Sequence, residues 1–294
     1  MTIYLNGHYM PIEDAKISVL DRGFIFGDGV YEVIPVYSRK AFRVAEHLLR
    51  LQHSLDGIKL ANPHSDSEWT GIIDELIARN AAQDQYLYLH ITRGVAKRDH
   101  AFPSPPVEPT VFMMSNPLLT PPADLLHSGI ACVTAPDNRW LRCDIKSIAL
   151  LPNVLLRQMA VDAGCAETIL IRPEFVNAEF VSGGGFMTEG AASNIFVVKN
   201  GKLLAPPKDN LMLPGITYDV VLELADANGI PYEVRKIAVA EVFAADELLL
   251  TSSTKEVLAI TQLDGKPVGT GKPGAMFAQM YALYQDFKRD VMRV

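Results

Sequence analysis

Leucine and isoleucine recur every three or four residues in two early stretches of the chain. Leu48, Leu49, Leu51 and Leu55 predict a helix over residues 46–58, and Ile72, Ile73, Leu76 and Ile77 predict another over 68–79. Over 85–92 apolar and polar residues alternate, the period of a half-buried strand, and 110–114 is a second apolar run. The stretch Asn116-Pro-Leu-Leu-Thr-Pro-Pro122 then interrupts every pattern and reads as an interdomain linker. Beyond it, apolar runs predict strands at 129–135, 167–171, 195–198 and 247–251. A helix is predicted near 153–163, and another after Thr217 that Gly229 terminates. The expected organisation is therefore an N-terminal domain over 1–115, a linker over 116–122 and a C-terminal domain over 123–294. No internal repeat and no low-complexity tract interrupts it.

Composition changes this picture little. The chain has 294 residues, 49% hydrophobic and 21% charged, as in an ordinary globular protein with ample core. A net charge of −7 argues against nucleic acid or an anionic membrane as partner. Cys132, Cys143 and Cys165 are odd in number and lack C-x-x-C spacing, which fits free thiols in a reducing cytoplasm. The start lacks a basic segment followed by an apolar core, so no secretory leader is expected. No apolar run approaches a membrane span.

Three charged or phosphate-compatible positions break the apolar runs. Lys146 lies among Trp140, Leu141, Ile145, Ile148, Leu150 and Leu151. Desolvation favours a neutral lysine amine, the form that attacks a carbonyl cofactor. Glu189 stands in Met187-Thr-Glu-Gly-Ala-Ala-Ser193-Asn194, where small residues lead into a strand and let a flat group approach. Leu213-Pro-Gly215-Ile216-Thr217 opens a helix, and helix N-termini bind phosphate. Taken singly, the same positions also fit a strand-end lysine reaching for water, a turn glutamate and an ordinary helix start.

In this order the three pieces are far more specific. The chain resembles the class IV aminotransferases, the fold-type IV pyridoxal phosphate enzymes, and among them it is most similar to the bacterial D-amino acid aminotransferases. Further matching stretches are Asp21–Val33, Glu46–Leu51, Thr92–His100 and Asp246–Glu256, and the likeness runs from Ile3 to about Gly265. It implies an α+β protein of two domains, an α/β N-terminal domain and a barrel-like C-terminal domain, with pyridoxal 5′-phosphate between them. It implies a homodimer in which the Arg98–His100 loop completes the neighbouring subunit's site. The resemblance also assigns roles. Lys146 would carry the cofactor as a Schiff base and move the substrate proton. Glu189 would face the pyridine nitrogen, and Leu213 would pack on the ring. Arg50, Ile216, Thr217, Ser252 and Ser253 would hold the phosphate. For Arg50 the residues alone equally suggest a helix ion pair with Glu46. Tyr31, Arg98 and His100 would meet the substrate; alone, they read as a strand tyrosine and a solvated basic loop. The implied reaction is D-alanine plus 2-oxoglutarate to pyruvate plus D-glutamate. Branched-chain L-amino acid transamination is the alternative, and aminodeoxychorismate lyase and a cofactor binder without turnover are further ones.

Other motifs carry no chemistry. Gly27-Asp-Gly29 lacks the third glycine of a dinucleotide fingerprint, and Gly269-Thr-Gly-Lys272 is no phosphate loop. The seven histidines form no ligand cluster, so no metal is expected. Asp21 and Asp28 beside Arg22 read as turn and salt-bridge residues, and Met113-Met114 as core. The segment 172–187 is longer than the family's usual hairpin and contains Ser182-Gly-Gly-Gly185, which suggests a surface elaboration or a lid. Ala192 stands where relatives tend to carry a serine.

Overall fold

The computed structural model describes residues 1–173, 175–176, 179–180 and 184–294. The chain forms two compact units. The first comprises Met1–Leu119, Ile145–Leu150 and Val291–Val294; the second comprises Thr120–Asp144 and Leu151–Asp290. The expected division gave the Lys146 stretch to the C-terminal domain, but the six residues Ile145–Leu150 join the first unit. The reason is backbone pairing: Tyr31 N–H donates to Lys146 O (2.9 Å), Ile148 N–H to Gly29 O (3.1 Å), and Val30 bridges Ser147.

The first unit contains β1 (Thr2–Leu5), β2 (His8–Pro11), α1 (Arg22–Phe26), β3 (Gly29–Tyr37), β4 (Lys40–Ala41), α2 (Val44–Gly57), α3 (Asp66–Arg79), β5 (Gln85–Thr92) and β6 (Thr110–Pro117). Its sheet runs β2-β1-β6-β5-β3-β4, and every pairing is antiparallel. Alternate residues Val30, Ile34 and Val36 of β3 and Leu87, Leu89 and Ile91 of β5 pack with Leu48, Leu51 and Leu55 of α2 and with Trp69, Ile73 and Leu76 of α3. The period-2 strands and period-3.6 helices read from the sequence thus face one core. Helix α3 begins earlier than its apolar stripe because Ser65 and Glu68 form a capping box.

The second unit contains α4 (Asp124–Ser128), β7 (Ile130–Pro136), α5 (Leu151–Asp162), β8 (Glu167–Arg172), β9 (Phe175–Val176), β10 (Glu179–Phe180), β11 (Phe186–Gly190), β12 (Asn194–Lys199) and β13 (Lys202–Ala205). There follow α6 (Ile216–Ala227), β14 (Tyr232–Val234), β15 (Ile237–Ala238), α7 (Val239–Phe243), β16 (Glu247–Ser252), β17 (Glu256–Leu263), β18 (Lys266–Pro267) and α8 (Ala275–Phe287). One ten-stranded sheet runs β14-β13-β12-β16-β17-β7-β8-β11-β15, with β18 on β17. It is mixed, since β13–β14, β17–β7 and β7–β8 pair in parallel. Strand β17, unassigned from the sequence, is buried at nearly every position; with both faces covered it shows no alternation to read. Strands β9 and β10 pair within the 172–187 segment, but its expected lid or surface role falls in part on residues 174, 177, 178 and 181–183, outside the described set.

Candidate active site

Lys146 is held from both sides in the first unit. Its carbonyl accepts from Tyr31 N–H, and its own N–H donates to Ser54 Oγ on α2 at 3.1 Å. The side chain is half-buried, and Nζ stands 4.2 Å from the centroid of the Tyr31 ring. No carboxylate pairs with Nζ among the described residues. The expected apolar box is looser than the sequence suggested: Ile145 is buried, whereas Trp140, Leu141 and Leu151 are exposed.

Arg50 does not pair with Glu46. Nε donates to Glu32 Oε1 and Nη2 to Glu32 Oε2, both at 2.7 Å, and His47 Nδ1 lies 2.9 Å from the same carboxylate. Glu46 faces Arg43 instead, at 3.9 Å. The cause is helical phase: His47, Arg50 and Ser54 share the α2 face turned to β3, with the leucines of the core. Glu32 is fully buried. Burial alone would raise its pKa; the Arg50 charge and the Arg50 and His47 hydrogen bonds outweigh this and hold it well below the usual carboxylate range. Burial pushes the His47 pKa down despite Glu32.

In the second unit Glu189 lies one residue before the end of β11. Oε1 accepts from Arg139 Nη1 at 2.6 Å and from Leu213 N–H at 3.2 Å, and Oε2 accepts from Asn194 Nδ2 at 3.3 Å. Asn194 also donates to Leu213 O at 3.0 Å. Burial pushes the Glu189 carboxyl up to about 7 against the pull of Arg139 and Leu213 N–H, with a small push from the nearby Asp137 charge; Asp137 also binds Arg139 at Nε (2.9 Å) and Nη2 (3.0 Å). Gly215 caps α6 without any side-chain hydrogen bond, and Ile216 and Thr217 follow it, both buried. A side chain at Gly215 would not fit: a Cβ there would lie 2.0 Å from Asn194 Oδ1. Ser252 and Ser253 are half-buried at the turn from β16 to β17, where Ser252 Oγ accepts from Lys255 N–H at 3.1 Å.

Arg98 and His100 are exposed on the loop between β5 and β6. Both lie against Phe26 of α1, the Arg98 guanidinium and the His100 ring each 5.4 Å from the Phe26 centroid. The structure thus brings Lys146 to Tyr31, and Arg98 to His100 around Phe26. No hydrogen bond or ring contact joins these two groups among the described residues.

The family model for amino-transferase class IV matches residues 29–263. The chain belongs to that family. It is similar to the D-alanine aminotransferases of Staphylococcus epidermidis (37% identical over 285 residues, 97% of each chain) and Bacillus licheniformis (37% over 286 residues, 97% and 96%). Among solved structures it superposes on the Escherichia coli branched-chain amino acid aminotransferase with TM-score 0.85 and 26% identity, covering 95% and 92% of the two chains. The branched-chain amino acid aminotransferase of T.th., solved with pyridoxamine 5′-phosphate, gives TM-score 0.86 and 25% identity, covering 97% and 93%. The two-unit α+β architecture is accordingly that of the fold-type IV aminotransferases, and the chain is a pyridoxal phosphate-dependent aminotransferase.

The donor set suits that cofactor class. Lys146 offers an amine without a carboxylate partner among the described residues, Glu189 a buried carboxylate fixed by three donors, and α6 an N-terminus without a side-chain cap. Several supporting residues escaped the sequence reading: Glu32, His47, Asp137, Arg139 and Asn194. Glu32 carries a legible signal, since a carboxylate shares strand parity with Val30 and Ile34 and so points into the core. Asp137 and Arg139 pair with each other, but the groups that tie them to the site, Thr188 and Glu189, lie far along the chain, where no local pattern records them.

Proposed function

We propose that this aminotransferase acts on D-amino acids, with D-alanine and 2-oxoglutarate as the principal pair. The observation that carries the reading is 37% identity to D-alanine aminotransferases in an alignment that spans 97% of the chain, together with an Arg98-Asp-His100 loop held at Phe26. When bound, pyridoxal phosphate supplies an electron sink for the substrate Cα carbanion. The chain supplies the rest. Lys146 holds the cofactor and moves the Cα proton through Nζ. Glu189 presents a fixed carboxylate to the ring nitrogen. Ile216 N–H, the Thr217 hydroxyl, Ser252 and Ser253 are the phosphate donors. Arg50, oriented by its pair with Glu32, adds a guanidinium to them. Leu213 would pack on the cofactor ring, and Tyr31, whose ring lies 4.2 Å from Nζ, lines the lysine. Arg98 takes the substrate carboxylate in charged hydrogen bonds, with His100 beside it.

Handedness follows from that anchor. Lys146 delivers its proton from one face, so the isomer accepted is the one whose Cα–H meets Nζ while its carboxylate meets Arg98. The mirror isomer leaves its anion unpaired, at a cost of about 2–5 kcal/mol. The protein functions as a homodimer in the cytoplasm, with the Arg98–His100 loop serving the partner's site. Exposed Leu151, Val154, Leu155 and Met159 form one apolar stripe on α5, suited to a two-fold contact.

Assay of D- and L-amino acids with and without 2-oxoglutarate tests the reading. Keto acid should form from D-alanine only with the acceptor, and much faster than from L-leucine. Faster L-leucine turnover would replace the reading with branched-chain transamination; pyruvate from aminodeoxychorismate without an acceptor would replace it with a lyase.

A further inference from the structure

We propose that Arg22 is a positioning residue for substrate specificity: it sets the Arg98–His100 loop and so governs how tightly the enzyme takes a substrate carboxylate. This rests on the reading that Arg98 and His100 receive that carboxylate.

The foundation is Asp21. Its carboxylate is fully buried and accepts from Gly23 N–H (2.8 Å), Thr92 Oγ1 (3.0 Å) and Thr110 Oγ1 (2.6 Å), which roots α1 on β5 and β6. Only glycine allows that seat, because a Cβ at Gly23 would lie 2.2 Å from Thr92 Cγ2. The next backbone groups zip the start of the loop to α1: Arg22 N–H donates to Gly94 O at 2.9 Å, and Ala96 N–H to Leu20 O at 3.3 Å.

The Arg22 side chain then reaches the far part of the loop. Nε donates to Asp28 Oδ2 at 2.8 Å, while Nη1 donates to Asp99 O at 2.6 Å and Ala101 O at 3.2 Å. Those two carbonyls flank His100, and Asp99 follows Arg98. Asp28 is itself fixed by Arg93, through Nε (2.8 Å) and Nη2 (3.0 Å), and Arg93 Nη2 is anchored on Ile58 O at 2.7 Å. One helical turn after Arg22, Phe26 gives its ring to Arg98, His100 and Arg22 together. Arg22 is 4% exposed, whereas Arg98 and His100 are exposed. A buried guanidinium thus braces, from beneath, the backbone on both sides of an exposed pair.

Arg22→Gln removes both carbonyl contacts while the Asp21 anchors remain. A misplacement of about an ångström costs up to about 100-fold. The holoenzyme variant should therefore raise KM for D-alanine by about ten- to 100-fold, with kcat and cofactor absorbance little changed. D-Alaninamide, which has the same amine but no carboxylate charge, should keep its KM. A parallel rise for both compounds, or no rise for D-alanine, would overturn the role. If Arg22→Gln gives no holoenzyme, Arg22→Lys decides by the same comparison, since lysine keeps the charge but cannot span both carbonyls and Asp28. Arg98→Ala is the companion. If it leaves the D-alanine KM unchanged, the carboxylate reading itself fails. If it raises that KM and the Arg22 variants do not, only the bracing role fails.

Discussion

Lys146 is held through its own backbone, by Tyr31 N–H and the Ser54 hydroxyl, rather than by an apolar shell. Borohydride treatment of the holoenzyme should fix the cofactor on Lys146. Lys146→Ala should lose turnover by several orders of magnitude, because attachment and proton transfer depend on the same nitrogen. Full activity in that variant would remove Lys146 from the reaction. Glu189 shows how burial and competition set a charge. Its carboxyl is pushed up to about 7, above the ordinary 4.5, so the folded chain without cofactor binds a proton that the unfolded chain has released. Stability of that cofactor-free form should therefore fall as pH rises from about 4.5 to about 7. Glu189→Gln should flatten that decline in urea titrations and, in the holoenzyme, lower kcat more than cofactor affinity. Unchanged turnover would leave Glu189 with a purely structural role.

At the scale of elements, the pair β3–α2 carries the most consequence. Glu32 on the strand meets His47 and Arg50 on the helix, and Ser54 one turn on receives Lys146 N–H. Removing the charge in Glu32→Gln leaves Arg50 buried without its partner carboxylate and should cost about 3–5 kcal/mol of stability at pH 7. The sign with pH is set by the depressed Glu32 pKa. Its contribution is present above about pH 4.5 and is lost progressively as pH falls below that value. Denaturation at neutral pH and near pH 4 measures both effects. A variant as stable as the parent at pH 7 would show that the network does not support the fold.

For the whole molecule, the question is assembly. Helix α5 buries only Leu156 and Ala160 and leaves Leu151, Val154, Leu155 and Met159 exposed at helical spacing. A stable two-fold interface covers on the order of 800 Å² per partner, and in the proposed dimer this apolar stripe would lie at its centre. Sedimentation velocity should give a dimer, and Leu155→Glu with Met159→Glu should give monomers with little activity. An active monomer at assay concentration would contradict both the interface and the shared-site loop.

What the sequence determined by itself was local or ordered along the chain. Apolar periodicity located α2, α3 and β5, because a helix or half-buried strand writes its period into consecutive residues, and contiguous apolar runs located β6, β8 and β16. The order of Lys146, Glu189 and Gly215-Ile216-Thr217 carried the resemblance to the class IV aminotransferases, the family to which the chain belongs. Tertiary structure alone decided the rest. Arg50 pairs with Glu32 rather than Glu46 because strand parity buries Glu32 opposite the helix face that carries Arg50. Ile145–Leu150 belongs to the first unit because its backbone pairs with β3, more than a hundred residues earlier. Strand β17 left no period because both of its faces are covered. Partner choice across such separations depends on which surfaces meet after folding, and no spacing along the chain records that.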